Sequence, residues 1–272
     1  MDNIKNLFGK SQTQKQLDKY NNNEIIKDIH NCYAFFMDLV NNENVLKCQK
    51  KIDDEKIKQN KNYIRPCNVC NMKPSPGKVS GYKPLYDSDE NYSCHVITPR
   101  VLDDIEGSYL VESNETPCKQ GYTKGALVVA PNLIYHFYRQ NEDGTWSHKD
   151  GSLEATNLDA SNNKITDPLK ANRNYGPDPR YRIDKPDGTH EDPILDYSDF
   201  CNYFCLPNNA AELYMQKLKL YNEKRRLENS NNNIQNGGRR KQNIKKNKKS
   251  KKSRKTNIKQ YNNRKNNKQS KK

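Results

Sequence analysis

The chain has 272 residues with 48 Lys and Arg against 33 Asp and Glu, a formal net charge of +15, a mean hydropathy of −1.22 and eight cysteines. Asn229 to Lys272 carries 17 of the basic residues and no acidic one, which leaves 31 basic against 33 acidic residues in the rest. The excess charge therefore belongs to the C-terminal tail, and a uniformly basic nucleic-acid-binding domain is excluded. No stretch approaches the roughly 18 consecutive apolar residues of a membrane-spanning helix, and the first residues have no apolar signal-peptide core.

Residues 1–22 are polar and read as a flexible leader. Ile25, Ile26, Ile29, Tyr33, Phe36, Leu39 and Val40 recur at mixed three and four spacing, which predicts a helix from about Glu24 to Leu46 with one buried face. Lys47 to Asn62 either extends that helix or links it to Pro66–Pro84, a Pro-, Gly- and Ser-rich stretch expected to form ordered loops. A short helix is expected at Val101–Ile105. The clearest strand signal runs from Gly125 to Gln140, interrupted at Pro131-Asn132, and the turn Asn141-Glu142-Asp143-Gly144 returns it through Thr145–His148 as a hairpin. Tyr197–Leu206 reads as a last buried strand, and Ala210 to Leu227 as an amphipathic helix. The expected architecture is one α+β domain over residues 23–228, an N-terminal helix packed on a small antiparallel sheet, followed by a disordered polybasic tail over 229–272.

Two cysteine chemistries compete. A thiol near a helix N-terminus followed by a hairpin histidine suits nucleophilic catalysis, because unpaired N–H groups and an imidazole both favour the thiolate. Cys32 and His136 fit those roles, and His148, Asn157 or Asp159 would hold the imidazole in one tautomer. The bland alternatives are a structural thiol, a satisfied sheet histidine and a surface histidine. Face sharing depends on the turn: a three-residue loop makes residues whose numbers sum to 286 face each other, so His148 opposes Tyr138 and shares a face with His136. For metal, Cys67-Asn68-Val69-Cys70 has the spacing of half a zinc site, which Cys94 and Cys118 would complete. With a cytosolic chain most of the eight cysteines are expected as thiols; a virion or another oxidising compartment would favour disulfides.

His30-Asn31-Cys32-Tyr33-Ala34-Phe35-Phe36, Ser80-Gly81-Tyr82, Tyr135–Gln140, Asp143–Lys149 and Phe200–Cys205 together resemble a little-characterised family of bacterial and giant-virus proteins, itself similar to papain-like, NlpC-type cysteine hydrolases. The resemblance covers about Asn31 to Leu206. It implies a papain-like arrangement with Cys32 as nucleophile, His136 as base and His148 as its polar partner, no cofactor, and amide or peptide bonds as substrate. The alternative is a non-enzymatic virion or nucleic-acid-associated structural protein. In both, residues 239–272 are expected to bind a polyanion, foremost nucleic acid, through counterion release. Host cytoplasm or virion is the expected location, with the nucleus a further option from the basic tail.

Overall fold

The computed structural model describes residues 10–70, 73–85 and 92–230. The polybasic run 239–272 lies outside the described residues, as does the start of the leader. The chain divides into two units, residues 1–218 and 219–272. Of the second, residues 219–230 are described; they are helical and mostly exposed.

The leader expectation is corrected first. Ser11 caps α1 (Gln12–Asn21) by accepting from the Gln14 N–H, and the helix buries Leu17 and Tyr20. Two apolar residues three apart suffice to dock one helical face; the polar residues between them conceal it in an average over the segment.

The single helix expected to Leu46 is three: α2 (Glu24–Ile29), α3 (Cys32–Phe36) and α4 (Asn42–Gln59). His30 and Asn31 are extended and make the break, and each supplies a group to a helix end. The His30 Nδ1 bonds the Ile26 carbonyl at 2.8 Å, and Asn31 accepts from the Ala34 N–H while its amide reaches Pro74 O. Such groups satisfy backbone that the ends would leave orphaned. Apolar spacing misses the break because both sides of it are buried. Asp38, at φ +58°, ends α3, and the Leu39 N–H returns to the Ala34 carbonyl at 2.8 Å. Four-residue α5 (Pro66–Val69) and α6 (Cys94–Asp104) follow, and α7 runs over 210–230.

A six-stranded antiparallel sheet has the order β1-β10-β2-β3-β4-β5, with β1 Tyr109–Val111, β2 Tyr122–Ala130, β3 Ile134–Gln140, β4 Trp146–Lys149, β5 Ala155–Thr156 and β10 Asp199–Pro207. Between β5 and β10, β6 (Asn174–Pro177) pairs with β9 (Ile194–Asp196), and β7 (Ile183–Asp184) with β8 (His190–Glu191). The mixed helix and antiparallel-sheet class agrees with the sequence reading.

Strand alternation sorts the core. On one face Leu127, Val129, Tyr135, Phe137, Phe204 and Leu206 meet Tyr33 and Phe36 of α3, Ile97 and Val101 of α6, and Tyr214 of α7. Ala126, Val128, Tyr138 and Trp146 line the other face with Leu195 and Tyr197. A third cluster joins α1, α2 and α4.

The expectation of mostly reduced cysteines is overturned among the described residues. Cys48–Cys70, Cys94–Cys201 and Cys118–Cys205 are disulfides; Cys32 and Cys67 are free. Pairings across 22, 107 and 87 residues carry no sequence signature, since spacing alone cannot fix connectivity. They also take apart the proposed zinc set, because Cys70, Cys94 and Cys118 are bonded to three other cysteines.

The approach of α3 to the sheet rests on Gly125. A Cβ there would stand 2.2 Å from the Phe36 ring, itself 4.6 Å from Phe137 centroid to centroid. Gly125→Ala is expected to cost about 1–3 kcal/mol by overpacking, read as a lower urea midpoint with unchanged slope. An unchanged midpoint would show that α3 does not bear on this strand.

Candidate functional site

The β3–β4 turn sets the site. Gly144, at φ +79°, completes the tight turn, in which the Asn141 N–H bonds Thr145 O at 2.7 Å. The register that follows is Tyr138↔His148, the one the three-residue loop predicts. His136 and His148 accordingly share a face, with His136 Nε2 2.8 Å from His148 Nδ1.

One carbonyl fixes both tautomers. His148 Nε2 lies 2.9 Å from Leu158 O, which only accepts, so this nitrogen carries the proton. The Nδ1 of a neutral His148 is then an acceptor and takes the N–H of His136 Nε2. His136 is left with a bare Nδ1 lone pair, the form a general base needs. Burial holds both rings neutral: His136 is pushed down to about 3, with His148 adding to the effect, and His148 is lowered mainly by its own burial. The third member of the relay is thus the backbone carbonyl between Asn157 and Asp159. The Asp159 carboxylate is used locally, accepting from the Ser161, Asn163 and Asn172 N–H groups.

Cys32 is the first residue of α3, behind its Asn31 cap. It belongs to the cluster of Tyr135 and Phe137, on the opposite face from the His136 ring. The β3–β4 ladder ends at Tyr138↔His148, and Cys32 reaches β3 at the backbone of Phe137, the residue after His136. The Tyr197 ring lies tilted against His136, centroids 5.1 Å apart. Among the described residues no hydrogen bond joins Cys32 to His136. Burial pushes the thiol up to about 12, and the Asp150 carboxylate adds to this; the Phe137 and Tyr33 backbone and Lys149 act the other way. At rest the thiol and the imidazole are each neutral.

Two groups that sequence reasoning passed over shape this environment. Lys149 is wholly buried, and its ammonium donates to Lys27 O at 2.6 Å, Gly151 O at 2.7 Å and Leu153 O at 2.9 Å. Burial pushes its pKa down to about 7, while three carbonyl partners favour the charged form. Asp150 acts on Cys32, His136, His148 and Lys149 alike. The signal for both was adjacency: they continue the chain directly from His148. Of the remaining candidates, Cys67 is partly exposed, with its N–H on Asp28 Oδ2 at 2.7 Å.

The histidines also predict a pH dependence. His30 and His136 have folded values of about 4 and about 3, below the ordinary histidine value of about 6.5. Below that ordinary value the unfolded chain binds protons that the folded chain refuses, so stability is full above about pH 6.5 and declines as pH falls toward 4. The melting temperature should fall across that window, and less steeply in His136→Gln. A flat profile from pH 7 to 4.5 would contradict the neutral buried rings.

Comparison with known proteins adds one relationship. No family model matches the chain, and no solved structure matches it. Over 117 residues it is 35% identical to insoluble matrix shell protein 1 of Ruditapes philippinarum, a match covering 43% of this chain and 72% of that protein. At that identity and coverage, the chain belongs to the same family as insoluble matrix shell protein 1.

Proposed function

We propose that the domain is a thiol-dependent amide or peptide hydrolase of papain-like, NlpC type, with Cys32 as nucleophile, His136 as base and His148 as orienting partner. The observation that carries this reading is the Leu158–His148–His136 relay, which leaves His136 Nδ1 as the free base nitrogen. A second histidine ordered by a third group holds His136 in one tautomer, as a catalytic imidazole requires. The reaction requires Cys32 and His136 to be brought together from opposite faces of β3; His136 Nδ1 then takes the Cys32 proton as sulfur attacks the substrate carbonyl carbon. The same proton passes to the leaving amine as the C–N bond breaks, and water then hydrolyses the thioester, releasing the acid and restoring the thiol. The neutral resting pair gives way to the ion pair once a substrate is engaged.

The test is His136-dependent reactivity of Cys32. Alkylation by iodoacetamide, resolved by peptide mass spectrometry, should fall about tenfold or more in His136→Gln, and Cys32→Ala should abolish hydrolysis across a panel of peptides and acyl amides. Equal labelling in both proteins would sink the assignment.

A second reading is favoured by specific observations. Three disulfides, a buried thiol pushed up to about 12 and kinship with a protein named for an insoluble shell matrix all suit an extracellular or virion structural component. The tail is compatible with both. Its 17 basic and no acidic residues support binding to nucleic acid or another polyanion through residues 239–272. Among the described residues no helix is long and apolar enough to cross a membrane. DNA affinity should fall steeply with salt in the full chain and largely vanish when the chain ends at Glu228; unchanged affinity after truncation would refute the tail's role.

A further inference from the structure

A polar cavity of about 370 Å³ opens at the end of the sheet where β2 begins and β3 gives way to the β3–β4 turn. It is lined by α1 through Thr13, Lys15 and Lys19, by β3 through Arg139, and by Asp38 and Glu142 from the connecting segments.

The positive charges of the lining are only partly answered. Lys19 is paired with Asp38 at 2.7 Å, and that carboxylate also accepts from Gln16 at 2.9 Å. Arg139 donates to Phe36 O at 2.9 Å and to Thr123 Oγ1 at 3.4 Å. Among the described residues no carboxylate stands within ion-pair distance of Arg139 or of Lys15. A guanidinium has five N–H donors, so these two contacts leave others unspent. Burial disfavours the charge of Arg139, with Asp38 and Tyr20 acting the other way. Glu142, exposed on the turn, is the one lining carboxylate without a cationic partner among the described residues.

Thr13 adds an independent sign. Its side chain is 6% exposed, and its hydroxyl has no hydrogen-bond partner. Asp143, the carboxylate that senses this hydroxyl, is already engaged by the N–H and hydroxyl of Thr145. A buried polar group left unpaired costs stability unless something else satisfies it. Thr13 is also the second residue of α1, so its N–H is among those a helix leaves free at the positive end of its dipole.

We propose that this cavity binds the carboxylate or phosphate group of a small molecule, held by Arg139 and Lys15 with Thr13 as its buried hydrogen-bond donor. An oxyanion accepts from guanidinium, ammonium, hydroxyl and helix N–H alike. A second cavity of about 340 Å³ shares Thr123, Gln140, Asn141 and Glu142 with the first and gives room to the rest of such a molecule. The site is independent of the hydrolase reading, since it uses none of Cys32, His136 and His148.

The test is thermal unfolding of the full chain with sodium phosphate or sodium succinate titrated in at constant ionic strength. Anions on the tail bind folded and unfolded chains alike and cancel, whereas an anion in the cavity binds the folded chain alone and stabilises it. At about ten times its dissociation constant the better probe should raise the melting temperature by about 3 °C along a saturating curve. Saturation with phosphate alone assigns a phosphoryl group, and with succinate alone a carboxylate. A rise that never saturates is a general salt effect and overturns the site, as does no rise with either probe. Lys15→Gln should weaken apparent affinity about threefold, Glu142→Gln should strengthen it by a similar factor, and Lys50→Gln on α4 should leave it unchanged. Thr13→Val should raise the melting temperature of the ligand-free chain yet weaken binding; binding as tight as in the wild type overturns the site. Arg139→Gln should abolish binding. Should that variant fail to fold through loss of its bond to Phe36 O, the exposed Lys15 decides, and equal affinities in Lys15→Gln and Lys50→Gln overturn the site.

Discussion

The ammonium of Lys149 is the point on which the site depends. Its three carbonyl partners belong to α2 and to the turn after β4, so one buried charge ties the end of α2 to the strand that carries His148. Cys32 begins the next helix only three residues after α2 ends, and its position relative to the sheet is inherited from that clamp. Ser152 reinforces the tie by donating to Asp28 O at 3.2 Å. A buried ammonium is tolerable only when every N–H is used, and here each has a carbonyl within hydrogen-bonding distance.

Charge around the thiol is balanced between opposing groups. Lys149 favours a thiolate and Asp150 disfavours it, while burial acts against every ionised state. The histidine relay is neutral for the same reason. In an enclosed site of this kind, admitting water changes the energy of an ion pair more than that of a neutral pair. The same enclosure also suits a protein whose cysteine never reacts.

Much of this was legible in the sequence, for identifiable reasons. The β3–β4 hairpin follows from its turn residues, and the turn length alone fixes which histidines share a face. Asn31 reads as a cap because its side chain can satisfy a backbone N–H, and the helix does restart there. What escaped was information held by distant partners. The disulfides join residues far apart in the chain, the clamp on Lys149 uses backbone carbonyls that every residue possesses, and Leu17 and Tyr20 dock a helix whose composition is polar. Arg180 and Asp150 are 30 residues apart, and only the fold brings them together.

The place of β10 in the sheet has a consequence for how the molecule is made. Residues 199–207 are the last strand in the chain yet lie between β1 and β2, and two of the three disulfides end on them. A ribosome-bound chain has no centre to its sheet until that strand emerges, so the facing edges of β1 and β2 stay open until then. Pairings of such high sequence separation also form slowly. The sheet therefore closes only once β10 has been made, late in the chain, and the chain beyond it ends in a polar, cationic run whose charge favours solubility while the sheet closes.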